Sequence, residues 1–238
     1  MLAEDPPDAS APPVAAVAGV PDVPPAPAPI PEPTAADDPE AGRVFGVIPN
    51  NKIVPSTKAA TEEPLTAGGK FELAWKDTID PYTFVLAGFY AGIAQWQDDY
   101  PTWKLGGVGY AKRFGAAYAD QVVGNYLTEA ILPALLREDP RYFRKGSGGG
   151  WARTSYALTR VLVTRTDRGK NEFNYSEFVG NAAAAGISNL YYPASERTVG
   201  ETGEKFAVQI VSDAAFNILL EFWPDMHRMM VKRVPFVH

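Results

Sequence analysis

The sequence predicts an all-α protein: a compact bundle of about six helices with one close-packed seam of small residues, preceded by a disordered Pro/Ala-rich arm. Three observations lead there. Proline and glycine stops cut residues 66–233 into segments of helical length, several of them opened by a capping residue. Alternation of polar and apolar residues never persists, and small residues outnumber β-branched ones in the longest segments, so no strand pattern competes. The first 40 residues hold 12 of the 22 prolines and no aromatic side chain, which leaves nothing to offset the entropy cost of ordering them.

That arm also carries eight acids and no base, whereas the other 198 residues hold 20 acids against 22 bases. The net charge of −6 therefore belongs to the arm, and the folding part is close to neutral. Each arm proline fixes φ and removes a donor. An extended polyproline-like segment is expected, either a plain tail or a tether across a space such as a periplasm. Met1-Leu2-Ala3 runs straight into acids and prolines, so no leader with a basic start and an apolar centre is visible in the chain as given. The lack of cysteine excludes a disulfide scaffold, a cysteine protease and a thiolate metal site. The near-neutral fold excludes a strongly basic nucleic-acid binder.

The elements follow in order. Residues 41–65, punctuated by Pro49, Pro55 and Pro64, read as an irregular lead-in. Thr66 caps a first helix over about 66–78, and Asp80-Pro81 opens a second that reaches about Trp96 and is apolar almost all round. The third and longest runs from about Gly107 to Arg137, with a bend expected at Pro133. After the turn Gly146–Gly150 a fourth covers about 151–165, and Thr166 to Phe173 reads as a polar loop. Asn174 and Glu177 have capping-box spacing and open a fifth helix to Tyr192. Thr198 and Glu201 repeat that spacing and open a sixth, stopped at Pro224. The domain is therefore expected at 66–233, with 234–238 as a tail.

On the third helix Gly107, Ala111, Gly115 and Ala119 recur every four residues and share one face. That predicts a seam against which another helix packs closely, in a soluble bundle or in lipid. The apolar stretches 82–96, 178–192 and 206–223 fall short of the ~20 clean residues a bilayer crossing demands. Lys112, Arg113, Asp120, Gln121 and Glu129 interrupt the third helix. A conventional multi-span protein is thus not expected, whereas a bundle packed on a membrane, or partly into one, fits.

Chemistry-bearing motifs are sparse. There is no nucleophile elbow, phosphate loop or zinc-protease motif, and with two histidines neither a catalytic triad nor a di-iron set is built. A calcium-loop spacing near Asp167 fails at its closing position, Phe178. No metal site and no cofactor are expected. Two constellations remain. Gln121, Asn125 and Glu129 recur every four residues on the third helix, and Asp213, Asn217 and Glu221 do so on the sixth. Facing one another they would hold a cation or a paired acid and base, which makes Glu129, Glu221 and Asp213 the catalytic candidates. Alternatively the stripes are simply solvated. The second constellation is basic: Arg137–Lys170 holds nine bases against three acids, interleaved with Tyr142, Phe143, Trp151 and Tyr156. Arg137, Arg141, Arg144, Lys145, Arg153 and Arg160 are the candidates for binding an anionic surface, or they neutralise acidic helices.

The strings Gly109-Tyr-Ala-Lys-Arg-Phe-Gly-Ala-Ala-Tyr-Ala-Asp-Gln, Glu138-Asp-Pro-Arg-Tyr-Phe-Arg, Phe173-Asn-Tyr-Ser-Glu, Asn189-Leu-Tyr-Tyr-Pro and Glu221-Phe-Trp-Pro-Asp resemble a family of uncharacterised bacterial proteins. Members are exported and mainly helical, with a variable Pro/Ala-rich start. The resemblance spans about residues 66–230 and implies a bacterial cell envelope or periplasm; it carries over no activity and no catalytic residue. The leading expectation is a non-enzymatic envelope module that packs on or partly into a membrane, with the arm as spacer. Its partners would be the membrane surface or other envelope proteins, not nucleic acid, and the oligomeric state is open. The rival expectation is an enzyme on a lipid or cell-wall substrate, using a helix carboxylate and the Arg cluster. A soluble protein-binding scaffold is the third. A concave pocket with converging carboxylates would favour the enzyme, and a flat apolar belt flanked by bases the membrane module.

Overall fold

The computed structural model describes Arg43, Pro49 and residues 51–233. The expected arm, 1–40, and the tail, 234–238, lie outside the described residues. Within them the fold is helical. Helix α1 (Ala67–Ile79) begins at Thr66, whose hydroxyl accepts the Gly69 N–H at 3.1 Å. Helix α2 (Pro81–Trp96) begins at Asp80, whose carboxylate accepts the Tyr82 N–H at 2.8 Å. Both caps satisfy N–H groups that have no partner inside the helix.

Helix α3 is one rod in three parts: α-helical Gly107–Asn125, π-helical Tyr126–Ile131 and α-helical Leu132–Leu136. The irregularity expected at Pro133 is a widened turn before it. Pro133 has no N–H to give the Glu129 carbonyl, and its ring would crowd that oxygen. The Leu132 N–H accordingly reaches back five residues to Leu127. Helix α4 (Gly150–Leu162) and helix α5 (Tyr175–Ser188) both end earlier than the sequence suggests. Helix α6 (Val199–Arg233) runs on through Pro224 instead of stopping there. Just before that proline, Arg144 and Arg153 both donate to the Glu221 carbonyl, supplying donors beside the break in the helix ladder.

Among the described residues five short strands correct the expectation of a strand-free chain. β1 (Ile53–Val54) pairs in parallel with β3 (Tyr142–Phe143). β2 (Glu138–Asp139), β4 (Val163–Thr166) and β5 (Asn171–Phe173) form an antiparallel sheet in the order β2-β4-β5. With two to four residues each, they are too short for alternation to register. They matter for position: β1 turns the irregular lead-in into part of the fold.

The predicted seam on α3 is also corrected. Gly107, Ala111 and Gly115 are exposed and Ala119 only partly covered, and a Cβ placed on Gly107 or Gly115 would meet nothing. The inward face holds Gly109, Arg113, Ala116 and Ala117. It packs against α2, whose buried positions are Thr83, Ala87 and Ala91. Arg113 looks inward because its guanidinium clamps the α2–α3 loop, donating to the carbonyls of Asp99 at 2.9 Å and Lys104 at 2.8 Å. A close helix approach lies elsewhere, where a Cβ on Gly180 of α5 would come within 2.7 Å of Thr128 Cγ2 on α3.

A small apolar core, Tyr142, Ala157, Leu220 and Trp223, joins β3 and α4 to α6. Beyond it the usual distribution of large apolar side chains is inverted. Among the described residues 25 large apolar side chains are exposed and eight are buried, while ten charged side chains are buried. Each helix turns apolar residues outward, for example Trp75 on α1, Phe89 on α2, Leu135 on α3, Leu158 on α4, Val179 on α5 and Val211 on α6.

Candidate functional site

The buried charges fall into clusters, and one surrounds a cavity of about 480 Å³ between α1, α2, α3, α5 and α6. Its wall contains Lys52, Asp77, Glu129, Glu177 and Asp213. Glu129 is carried by the π-helical turn of α3, and such turns displace side chains from ordinary helix register. Lys52 precedes β1, and its carbonyl accepts the Tyr142 N–H, which extends the β1–β3 pairing up to the cavity. Its ammonium donates to Glu129 Oε1 and lies 3.2 Å from Asp77 Oδ2. Burial opposes the Lys52 charge, but Glu129 and Asp77 outweigh it and raise its pKa. Burial pushes Glu129 up to about 7; Lys52 pulls it down and Asp77 adds to the rise.

Across the cavity Glu177 and Asn181 stand one turn apart on α5. Asn181 Nδ2 donates to Glu177 Oε1 at 2.8 Å and to Asp213 Oδ2 at 3.4 Å, while Gln209 Nε2 reaches Asp213 at 3.1 Å. The capping box is only half formed. Asn174 Oδ1 accepts the Glu177 N–H at 3.1 Å, but the Asn174 N–H is already bonded to the Leu162 carbonyl. The Glu177 carboxyl is therefore free to turn inward, where burial first and the neighbouring Asp213 second hold its pKa well above the usual range. Asp120, on the same wall, accepts 2.6 Å bonds from the hydroxyls of Tyr191 and Tyr192. Burial raises its pKa, those bonds opposing.

The cavity brings together Gln121, Asn125 and Glu129 from α3 with Asp213 and Asn217 from α6. Glu221 is not among them. It is fully buried, and its carboxylate is taken by Arg153 Nε at 2.8 Å, the Tyr142 hydroxyl at 2.9 Å, and the N–H groups of Lys145 at 3.0 Å and Gly146 at 2.9 Å. Such a carboxylate ties α4 to α6 and has no oxygen left for a substrate, which corrects its place among the acid–base candidates.

The basic candidates are likewise dispersed. Arg144 and Arg153 are buried at the Glu221 cluster, and Arg141 pairs with Asp139 at 2.8 Å and Glu62 at 2.6 Å. Arg160 bonds Asn171 at 3.2 Å and lies over the Tyr156 ring. Of the six, only Arg137 and Lys145 are exposed, while Arg141 and Arg160 line the cavity, so these six do not form one cationic surface. Sequence reasoning missed Lys52, Asp77 and Glu177. The i,i+4 pair Glu177/Asn181 carried the same signal as the two stripes it did find, whereas Lys52 lies in a segment without periodicity.

The cavity is thus a chamber with six carboxyl groups in its wall against one ammonium, Lys52, and two guanidinium groups, Arg141 and Arg160, an acidic balance suited to holding cations and protons. Among the described residues no group of three His, Asp or Glu side chains is placed to hold a metal ion. No family model, no curated protein and no solved structure matches the chain, so a functional reading rests on this geometry.

Proposed function

We propose that the helical domain is a membrane-associated module that packs its apolar helix faces on or partly into a lipid bilayer. The observation that carries this reading is the inversion of the apolar side chains, most large ones outside, together with ten buried charged ones. In water each exposed apolar face carries a hydration cost of roughly 25 cal/mol per Å² that burial would recover. In a bilayer the same surface is solvated by acyl chains, and ionisable groups turn toward one another or toward a polar chamber. A second copy of the chain would cover one face, but every helix here carries outward apolar residues. Trp96 and Trp151, 84% and 82% exposed, suit the headgroup boundary, where an indole keeps its N–H wet. The stretch Val199–Met229 is long and apolar enough to cross a membrane, yet only 17% of its most apolar window is buried; a core helix of a water-soluble fold is mostly covered. The setting that goes with this reading is the bacterial cell envelope or periplasm, with other envelope proteins as further partners.

Vesicle flotation tests it. Because three of the six candidate bases are taken up by internal ion pairs and Arg160 lies in the cavity wall over a tyrosine ring, attachment rests on apolar contact. The domain should float with neutral phosphatidylcholine vesicles nearly as well as with anionic ones, and 0.5 M salt should remove little of it. Recovery in the unbound fraction with both lipids, or as a discrete dimer in detergent-free buffer, would overturn the proposal.

A further inference from the structure

The cavity holds features that attachment to a membrane does not use. Several of its charged wall residues already have strong partners. Glu138 accepts the N–H groups of Tyr175 at 3.2 Å and Ser176 at 3.0 Å, Asp120 holds two tyrosines, and Arg141 holds Asp139 and Glu62. What remains is four carboxyl groups, Asp77, Glu129, Glu177 and Asp213, the ammonium of Lys52, and the guanidinium of Arg160, which is held by the Asn171 amide oxygen and the Tyr156 ring.

Two wall atoms are also left over. Glu129, 4% exposed, and Ser176, 2% exposed, present Oε2 and Oγ with no hydrogen-bond partner. A buried carboxylate oxygen without a donor is costly, and a cavity is where a donor can enter. We infer that the chamber is a binding site for a small organic cation bearing primary amine or guanidine groups, seated beside Lys52 and held by Glu129, Glu177 and Asp213.

The chemistry selects that class. An ammonium is donors only, matching a wall of acceptors, and the chain's own Lys52 already occupies one such seat. Carboxyl groups spread around the wall, with no trio placed for a metal, suit an extended molecule with separated positive groups better than a bare ion. The rings of Tyr82 and Phe216, both in the wall, lie nearly parallel with centroids 6.4 Å apart and offer π faces to a cation. Burial holds Glu129 up to about 7 and raises Glu177, so in the empty chamber these two carboxyl groups keep protons that ordinary glutamates would have lost. The groups facing Glu129 are Lys52 from the lead-in, Asp77 from α1 and Asp213 from α6. A bound cation displaces those protons, so binding releases protons and tightens as pH rises. This inference does not depend on the membrane reading.

Calorimetric titration of the full chain with putrescine, agmatine and spermidine tests it, with butane-1,4-diol as the uncharged counterpart of putrescine. At least one amine should bind with one-to-one stoichiometry. It should bind about tenfold more tightly at pH 8 than at pH 6, and heats in two buffers of different ionisation enthalpy should reveal proton release. The diol should give no heat. Glu129→Gln, nearly isosteric, should weaken binding tenfold or more while its melting curve shows a folded protein. Lys52→Met removes the resident competitor and should act in the opposite sense, so the proposal stays testable if one variant misfolds. Silence with all three amines, equal binding of the diol, or unchanged amine affinity in folded Glu129→Gln would overturn it, as would saturable calcium binding in place of amine binding.

Discussion

Glu129 shows how a single residue links fold to chemistry. Its carboxyl is buried in a π-helical turn beside Lys52, and it releases its proton near 7 in the folded chain against 4.5 for an unperturbed glutamate. Between those values the folded state keeps a proton that the unfolded chain has lost. Stability therefore falls as pH rises from about 4.5 to about 7, and Glu177, raised for the same reason, adds to the slope. Urea denaturation at pH 5 and pH 7.5 should show the parent less stable at the higher pH, with the difference clearly smaller in Glu129→Gln. An identical slope in both proteins would show that Glu129 does not hold the proton. The candidates Glu129 and Asp213 were legible because helical periodicity places every fourth residue on one face. Lys52 was not, since strand pairing rather than any local pattern brings it to the cavity. Asp77 was not either, as a lone acid near a helix end looks like surface charge.

At the scale of elements, helix starts are well marked in the chain, because Thr66, Asp80, Asn174 and Thr198 each supply an oxygen to an N–H that would otherwise lack a partner. Helix ends and orientations are less so. Period-four small residues define a face of α3 but not which way it looks, and Arg113, a residue that pattern reasoning sends to solvent, looks inward to hold the α2–α3 loop. The two faces give opposite predictions. Ala87→Leu, at the buried α2–α3 contact, should cost about 1–3 kcal/mol by overpacking. Gly115→Leu, on the exposed face, should instead stabilise by a few tenths to about 1 kcal/mol, since leucine is the better helix former. Chemical denaturation of the two variants beside the parent decides it; a stabilised Ala87→Leu or a strongly destabilised Gly115→Leu would reverse the assignment of the faces.

At the scale of the molecule, the helical class was legible and the inversion was not. Charges along α3 argue against lipid when read as interruptions of an apolar stretch. In the fold Arg113 and Glu129 point inward and are buried, and Asp120 faces the cavity, so of the four charges named on α3 only Lys112 is exposed. The same holds for α6, where Asp213 faces the cavity while Val208 and Val211 face out. Only tertiary placement separates a helix with charges toward water from one with charges toward its neighbours. The measurement that tests this inversion most directly is tryptophan quenching by brominated phospholipids, read through Trp75, Trp96 and Trp151, which are all exposed. The account predicts that brominated vesicles quench the emission of the folded domain strongly, whereas aqueous iodide loses access to the same residues once vesicles are present. Unchanged emission with brominated lipid and undiminished iodide quenching would place the apolar faces in water and contradict it.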